Sequence, residues 1–396
     1  MTDHTSASSP GSPKVLKCSS TADFLAALPQ LAGFTATHSI FVLFFEGSRT
    51  CEAMRVDLPP DDDPREATDL LEFLSHTIRS FSINNGRTSA PAIAIMSDRS
   101  FADCDGPPWL RLARRIERRL RRDRIYPREL CVRAPDGWVS YLDAAAPRGG
   151  RSLDEIEHSP IAVAARLARQ QVPSLAELGA LPPPDPDRMA RAATELSTLE
   201  RAAPVAQDCV TIAPVASREL RDINEPLTPE AVGRIAHAAG ETRGWWHLAM
   251  GLLTRPEFPG EMEQEFGEHV LSGLPVTTAD ATQLSMAHIL AAICPEFTER
   301  ERLAPVRVRL ARALADLPEA ARPGVFALSA LVWWLCGSQT TANAQVDAAL
   351  DIAPQHEVSL MVRSLVAVPV VARQMLLPGS ASPAGSVSAP RAAGSR

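Results

Sequence analysis

Eight arginines fall within the fourteen residues from Arg111 to Arg124 (RLARRIERRLRRDR), against only Glu117 and Asp123, a local charge of +6. A guanidinium group grips carboxylates and phosphates through a planar fork, so this density is the chemistry of an anion-recognising surface. Read as a helix, the segment places Leu112, Ala113, Ile116 and Leu120 on one face. Arg111, Arg114, Arg115, Arg118 and Arg122 lie on the other faces and are the candidate binding residues, for nucleic-acid phosphates or for an acidic partner. The plainer reading is an amphipathic helix with a solvated basic side. No aromatic side chain interleaves with the arginines, which counts against base stacking.

Other reactive residue types are less organised. Asp61, Asp62 and Asp63 are consecutive and precede Pro64, a pattern that suits the first turn of a helix better than converging metal ligands. His38 stands beside Ser39 and suggests a base next to a hydroxyl, but the sequence offers no acid to orient it. His237 and His247 are ten residues apart, and no histidine pair has a metal spacing. Seven scattered cysteines contain no CxxC and point to thiols in a reducing cytoplasm. No Walker A loop, GxGxxG, HExxH, GxSxG or EF-hand loop occurs, so neither a cofactor nor a metal is expected.

The elements that must position these residues fall into two parts. The chain has 396 residues with 45% apolar and 22% charged side chains, a length that suggests two domains. Of its 40 basic residues only Lys14 and Lys17 are lysines, which is read as codon bias apart from the cluster above. Its net charge of −7 argues against a whole-protein field that draws nucleic acid. Residues 1–17 and 378–396 read as disordered tails, and no signal peptide or membrane span is expected. Residues 18–145 read as a mixed α/β domain, with a partly antiparallel sheet in the order β-β-α-β-α-β-β after a leading helix through Leu28. The strands are placed at 39–45, 51–58, 92–96, 130–133 and 138–142, the last two around an Asp136-Gly137 hairpin turn. Residues 146–205 read as a linker with short helices, and 206–377 as an all-α domain of helical hairpins. Its helices are expected at 216–222, 228–239, 243–254, 260–271, 279–293, 298–315, 319–337, 340–352 and 356–376. Trp245-Trp246 and Trp333-Trp334 read as core anchors of that part.

Two stretches resemble an uncharacterised group, the actinobacterial domain-of-unknown-function family 4192. The first is FLAALPQLAGFTATHSIFVLFFEG…CEAMRVDLP, where Leu25, Pro29, Gly33, Phe34, Ser39, Asp57, Leu58 and Pro59 fit the family's opening. The second is LSALVWWLCGSQTTANAQVDAALDIAP, where Trp334, Gly337, Ala342, Asn343, Ala349, Leu350 and Pro354 fit its C-terminal helical hairpin. The chain departs from that pattern at Ala36, His38, Ser174-Leu175 and Ser338. The resemblance implies a soluble cytoplasmic protein of a GC-rich actinobacterium and implies no particular reaction.

The expectation is therefore a non-catalytic binding or scaffold protein that uses its helical part to hold an unidentified protein partner. One alternative is an enzyme or small-ligand sensor with a site at the junction of the two domains, using the loops near Gly33 to Ser39 and after Asp57. The other is nucleic-acid association through the 111–124 helix. No membrane association is expected.

Overall fold

The run Ser39–Glu46 forms β1 because both of its faces are covered. Ile40, Val42 and Phe44 enter one apolar core and Phe41 and Leu43 the other, all of them buried. A strand buried on both sides must read as a continuous apolar run. Its neighbours are β2 (Arg49–Asp57), β3 (Ala92–Met96), β4 (Glu129–Ala134) and β5 (Gly137–Ser140), in the sheet order β2-β1-β3-β4-β5. β1 is antiparallel to both β2 and β3, β3 and β4 run parallel, and β4 and β5 form the antiparallel hairpin expected at Asp136-Gly137. The sheet is mixed, as the strand pattern indicates.

The computed structural model describes residues 18–63, 65, 67–84, 90–202, 205–266 and 300–367. The expected tails, the helix at 279–293 and the far ends of those at 260–271 and 356–376 lie outside the described residues. The chain divides into two compact units, 1–175 and 176–396. The boundary falls inside the stretch 146–205.

In the first unit, α2 (Thr68–Asn84) and α3 (Leu110–Arg122) cover one sheet face with Leu71, Leu74, Ile78, Leu112, Ile116 and Leu120. The opposite face takes Phe24, Leu25 and Leu28 of α1 (Thr21–Ala32) and Ile156 of α4 (Asp154–Glu157). A further helix, α5 (Pro160–Leu167), packs on α1. α1 runs past Pro29 instead of stopping at Leu28. Pro29 removes one backbone donor, but Leu31 and Ala32 still pack on the core, and Gly33 closes the helix in the left-handed region at φ 81° with its N–H on Pro29 O.

In the second unit the described elements are α6 (Pro186–Ala202), α7 (Val205–Arg221), α8 (Pro229–Gly240), α9 (Thr242–Leu253), α10 (Phe258–Phe266), α11 (Arg300–Ala315), α12 (Pro323–Leu335), α13 (Gln339–Ile352) and α14 (Glu357–Val366). A 3-10 turn, Glu319–Ala321, precedes α12, so the helix expected over 319–337 is divided at Pro323, which suits a first helical position. α7 begins at Val205, well before the expected 216, because Pro214 is carried inside the helix and does not stop it. α12 is buried all round, and α13, α14 and α11 pack against it. Trp245 and Trp334 are fully buried, and Trp245 Nε1 donates to Gly324 O at 3.1 Å. α8 makes two crossings without room for a side chain. A Cβ on Gly233 would lie 2.8 Å from Ala192 O of α6, and one on Gly324 of α12 would lie 1.9 Å from Ala239 O of α8.

Buried charges lock the ends of these helices. The Arg243 guanidinium forks onto Glu263 at 3.1 and 2.7 Å, and His247 Nε2 lies 2.9 Å from Glu263 Oε1 at ion-pair range but outside hydrogen-bond geometry. Burial alone would push the Glu263 carboxyl up; Arg243 and His247 outweigh it and hold the group below the ordinary carboxylate range. A depressed folded-state value contributes stability above the unfolded value, about 4.3 for Glu, and loses it as pH falls through the folded one. Glu263→Gln is therefore expected to lower stability at pH 7. In urea titrations the gap between the two forms should narrow as the pH falls below the unfolded value and through the lower folded one; a constant gap would refute the assignment. Among the described residues no helix is long and apolar enough to cross a membrane.

Candidate functional site

The polar residues of the first unit gather where β1 begins and β2, β3 and β4 end. The register Ser39↔Asp57 and Ser39↔Met96 places His38, Asp57 and the Ser97-Asp98-Arg99 turn at this one edge. His38 Nδ1 lies 3.3 Å from Asp98 Oδ1. Burial pushes the Asp98 carboxyl up, but His38 and Arg99 prevail and hold it below its usual range. The acid that the sequence did not offer His38 is thus Asp98. Only the long-range strand pairing joins positions 60 residues apart. Ser39, in contrast, is buried and engaged: its hydroxyl donates to Thr37 O at 2.7 Å and accepts from Arg55 Nε at 2.9 Å. His38 and Ser39 therefore do not form a base–nucleophile pair.

The acidic triplet is spent at the same edge. Asp61 accepts from Arg99 at 2.9 Å. Asp62 accepts the backbone N–H groups of Arg111 and Leu112 at 3.2 and 2.9 Å, so it caps α3 from a distant loop. Desolvation raises the Asp62 pKa despite those two donors. Asp63 takes the Arg65 N–H. The expected helix start at Asp61–Pro64 is displaced to Thr68 because these carboxylates serve Arg99, α3 and a turn. Arg99 also stacks on the Trp109 ring at 4.8 Å, and Trp109 Nε1 donates to Ser97 Oγ at 3.2 Å. Asp136 accepts from the N–H groups of Phe101 and Ala102.

α3 follows this edge, and its arginines divide by location. Arg111, Arg114, Arg118 and Arg122 are exposed and Arg115 is half-buried. At 3.6 residues per turn these five fall within about 100° of arc, opposite buried Leu112, Ala113, Ile116 and Leu120. The flanks are committed: Arg121 pairs with Glu117 at 2.7 Å, Arg119 donates to Ser75, and Asp123 takes Arg79 at 2.7 Å. Among the described residues, none of Arg111, Arg114, Arg118 and Arg122 has a carboxylate within ion-pair distance. Arg118 Nε reaches only Arg114 O, at 3.2 Å.

Stacked like charges oppose helix formation. Arg111–Arg115, Arg114–Arg118 and Arg118–Arg122 are i,i+4 pairs, each costing about 0.2–0.5 kcal/mol. Replacing Arg111, Arg114, Arg118 and Arg122 together by Gln is expected to leave the thermal midpoint at or slightly above wild type, since Gln and Arg have similar helix propensity. A midpoint lower by several degrees in differential scanning calorimetry would mean that the fold needs these arginines.

The remaining resemblance positions are placed as follows. Phe34 stacks on Phe41 at 5.7 Å, and the Gly33-Phe34-Thr35 loop is held to residues 173–175 by Thr35 N–H on Pro173 O and Leu175 N–H on Thr35 O, at 2.8 and 2.7 Å. Asp57 is exposed and pairs with Arg55, while Pro59 is buried. Gly337 is left-handed at φ 86° after buried Trp334, and Asn343 is exposed on α13. The N-terminal set lies in the first unit and the C-terminal set in the second. Among the described residues no three His, Cys, Asp or Glu side chains converge as a metal would require.

A mixed five-stranded sheet unit with a basic crossover helix, followed by many helices, defines the class of protein. The family model described as Domain of unknown function (DUF4192) matches residues 22–368, and the chain belongs to that family. No curated protein and no solved structure matches it.

Proposed function

We propose that this is a non-catalytic binding protein of the cytoplasm, with an all-helical second domain of stacked hairpins as scaffold and another protein as partner. The observation that carries the reading is where polar groups are spent. Open α/β sheets bind ligands beyond the carboxyl ends of parallel strands, often at a helix N-terminus. Here Asp62 occupies the first N–H groups of α3, Asp136 those of Phe101 and Ala102, and Asp61 engages Arg99. Exposed arginines with no carboxylate in ion-pair range among the described residues, Arg114, Arg118 and Arg122, lie instead on the outer side of α3.

Native mass spectrometry of the full chain isolated from its host tests this, paired with a thermal-shift screen of metabolites. A partner at fixed stoichiometry and no stabilising metabolite is the expected outcome. A chain isolated alone that a metabolite stabilises would overturn it, since a ligand at 100 times its Kd adds about 2.7 kcal/mol. A second reading rests on the His38–Asp98 pair, a partly exposed dyad of general-base type. It requires that His38→Gln abolish a ligand response that the wild type shows.

A further inference from the structure

We infer that the partner is gripped on the outer stripe of α3 and that it presents a carboxylate-rich helical segment. The inference rests on the binding reading above and specifies its surface and chemistry.

Three observations converge. Arg114, Arg118 and Arg122 have no carboxylate in ion-pair range among the described residues: Glu117 and Asp123, the acids of the segment, are already paired with Arg121 and Arg79, and within the stripe Asp61 and Asp62 act only on Arg111 at its N-terminal end. It is also rigidly held. Leu112, Ala113, Ile116 and Leu120 are nearly or wholly inaccessible, and Asp62 fixes the N-terminal turn. Finally, its spacing is helical. From Arg111 to Arg122 the cations span about 16 Å, three turns, with one or two guanidinium groups per turn. Carboxylates at i, i+3 or i+4, i+7 and i+11 of a second helix carry the same period, so each turn can meet a fork in bidentate geometry.

The surroundings favour protein over nucleic acid. Residues 1–150 hold 19 acids and 19 bases, so the stripe is an island in a neutral unit with no extended basic field. A phosphate backbone running on past the N-terminal end of the stripe would meet the acids Asp61 and Asp62, which act electrostatically on Arg111 there. No aromatic side chain on α3 offers a base-stacking platform. An acidic helix of three turns ends where the stripe ends.

The test uses the full-length chain and two labelled synthetic helical peptides, one with Glu at i, i+4, i+7 and i+11 and one with Gln at those places. A 20-base-pair DNA duplex and a single-stranded RNA of equal length serve as competitors. We expect fluorescence anisotropy to show the Glu peptide binding at least tenfold more tightly than the Gln peptide, with affinity falling as salt rises. The Arg111→Gln, Arg114→Gln, Arg118→Gln, Arg122→Gln protein should lose at least tenfold toward the Glu peptide while retaining its circular dichroism and thermal midpoint. Equal binding by that variant overturns the inference. So does tighter binding of DNA or RNA than of the Glu peptide. If the variant still co-isolates with a stoichiometric protein from the host, the stripe is wrong while the binding reading stands. If the wild type isolates alone and answers only to a metabolite, the binding reading itself falls.

Discussion

Gly324→Ala is expected to be the most damaging single-methyl change in the second unit. Gly324 is the second residue of α12, and the methyl would sit 1.9 Å from Ala239 O and 2.7 Å from Ala239 C, both backbone atoms of α8. Neither is the flexible end of a side chain, so the two helices must separate. Separation also strains the bond from Trp245 Nε1 to Gly324 O and loosens the apolar layer around Val325 and Leu328. Overpacking of this kind typically costs 1–3 kcal/mol, and a backbone-on-backbone clash places the expected loss at about 3 kcal/mol or more. Gly240→Ala supplies the control. Gly240 ends α8 with nothing within 4 Å of the added methyl and no left-handed φ. That change is expected to stabilise by about 0.4–1 kcal/mol by restricting the unfolded chain. Chemical denaturation of both variants decides the matter; a neutral Gly324→Ala would mean that the α8–α12 crossing is more open than described.

Asp316→Ala should come close in magnitude, by electrostatics and not by sterics. The Asp316 carboxylate is wholly buried just beyond α11. Arg312 donates to it at 3.0 and 2.5 Å, and Arg188 of α6 at 2.8 Å, while Arg188 also reaches Leu227 O. One side chain therefore ties the end of α11 to the start of α6. Removing it leaves two partly buried guanidinium groups facing each other without their counter-ion. Breaking a buried pair from one side costs about 3–5 kcal/mol. The two arginines retain some solvent contact, at 28% and 30% side-chain exposure, so the lower end of that range is expected. In a unit of this size that lowers the thermal midpoint by roughly 6–12 °C. Asp316→Asn, which keeps shape and one acceptor, should lose less. A change below about 1 kcal/mol for the alanine variant would show that water replaces the carboxylate without penalty.

Local pattern made the sheet legible. β1 and β3 are apolar runs covered on both faces, β2 alternates through Met54 and Val56, and Asp136-Gly137 names its own hairpin. The amphipathic arc of α3 followed from spacing alone. The helix bounds at 28 and 216 were less legible, since tertiary packing carries both helices through a proline. Pro29 and Pro214 lie inside α1 and α7 because the residues beyond them still have a core to enter. The site residues were less legible because their partners are remote. His38 meets Asp98 only through the antiparallel register of β1 and β3, and Asp62 meets the Arg111 and Leu112 N–H groups across 49 and 50 positions. Asp316 meets Arg188 across 128. A run of three aspartates reads as a solvent-facing helix start until the loops that use them are in place.

The crossover position of α3 has a further consequence. The helix has 13 residues and joins the parallel strands β3 and β4. A free helix of that length is marginal in water, and repelling charges make it weaker still. Its shape is borrowed from the sheet beneath it. Cut from the chain, the segment becomes a basic coil whose arginines hold no fixed period. The stripe thus exists as a ruler only while the first unit is folded, and an acidic helix measured against it reports on the integrity of the whole sheet. By mass action such a ligand also shifts the folding equilibrium toward the native unit, so recognition and stability are two readings of one equilibrium.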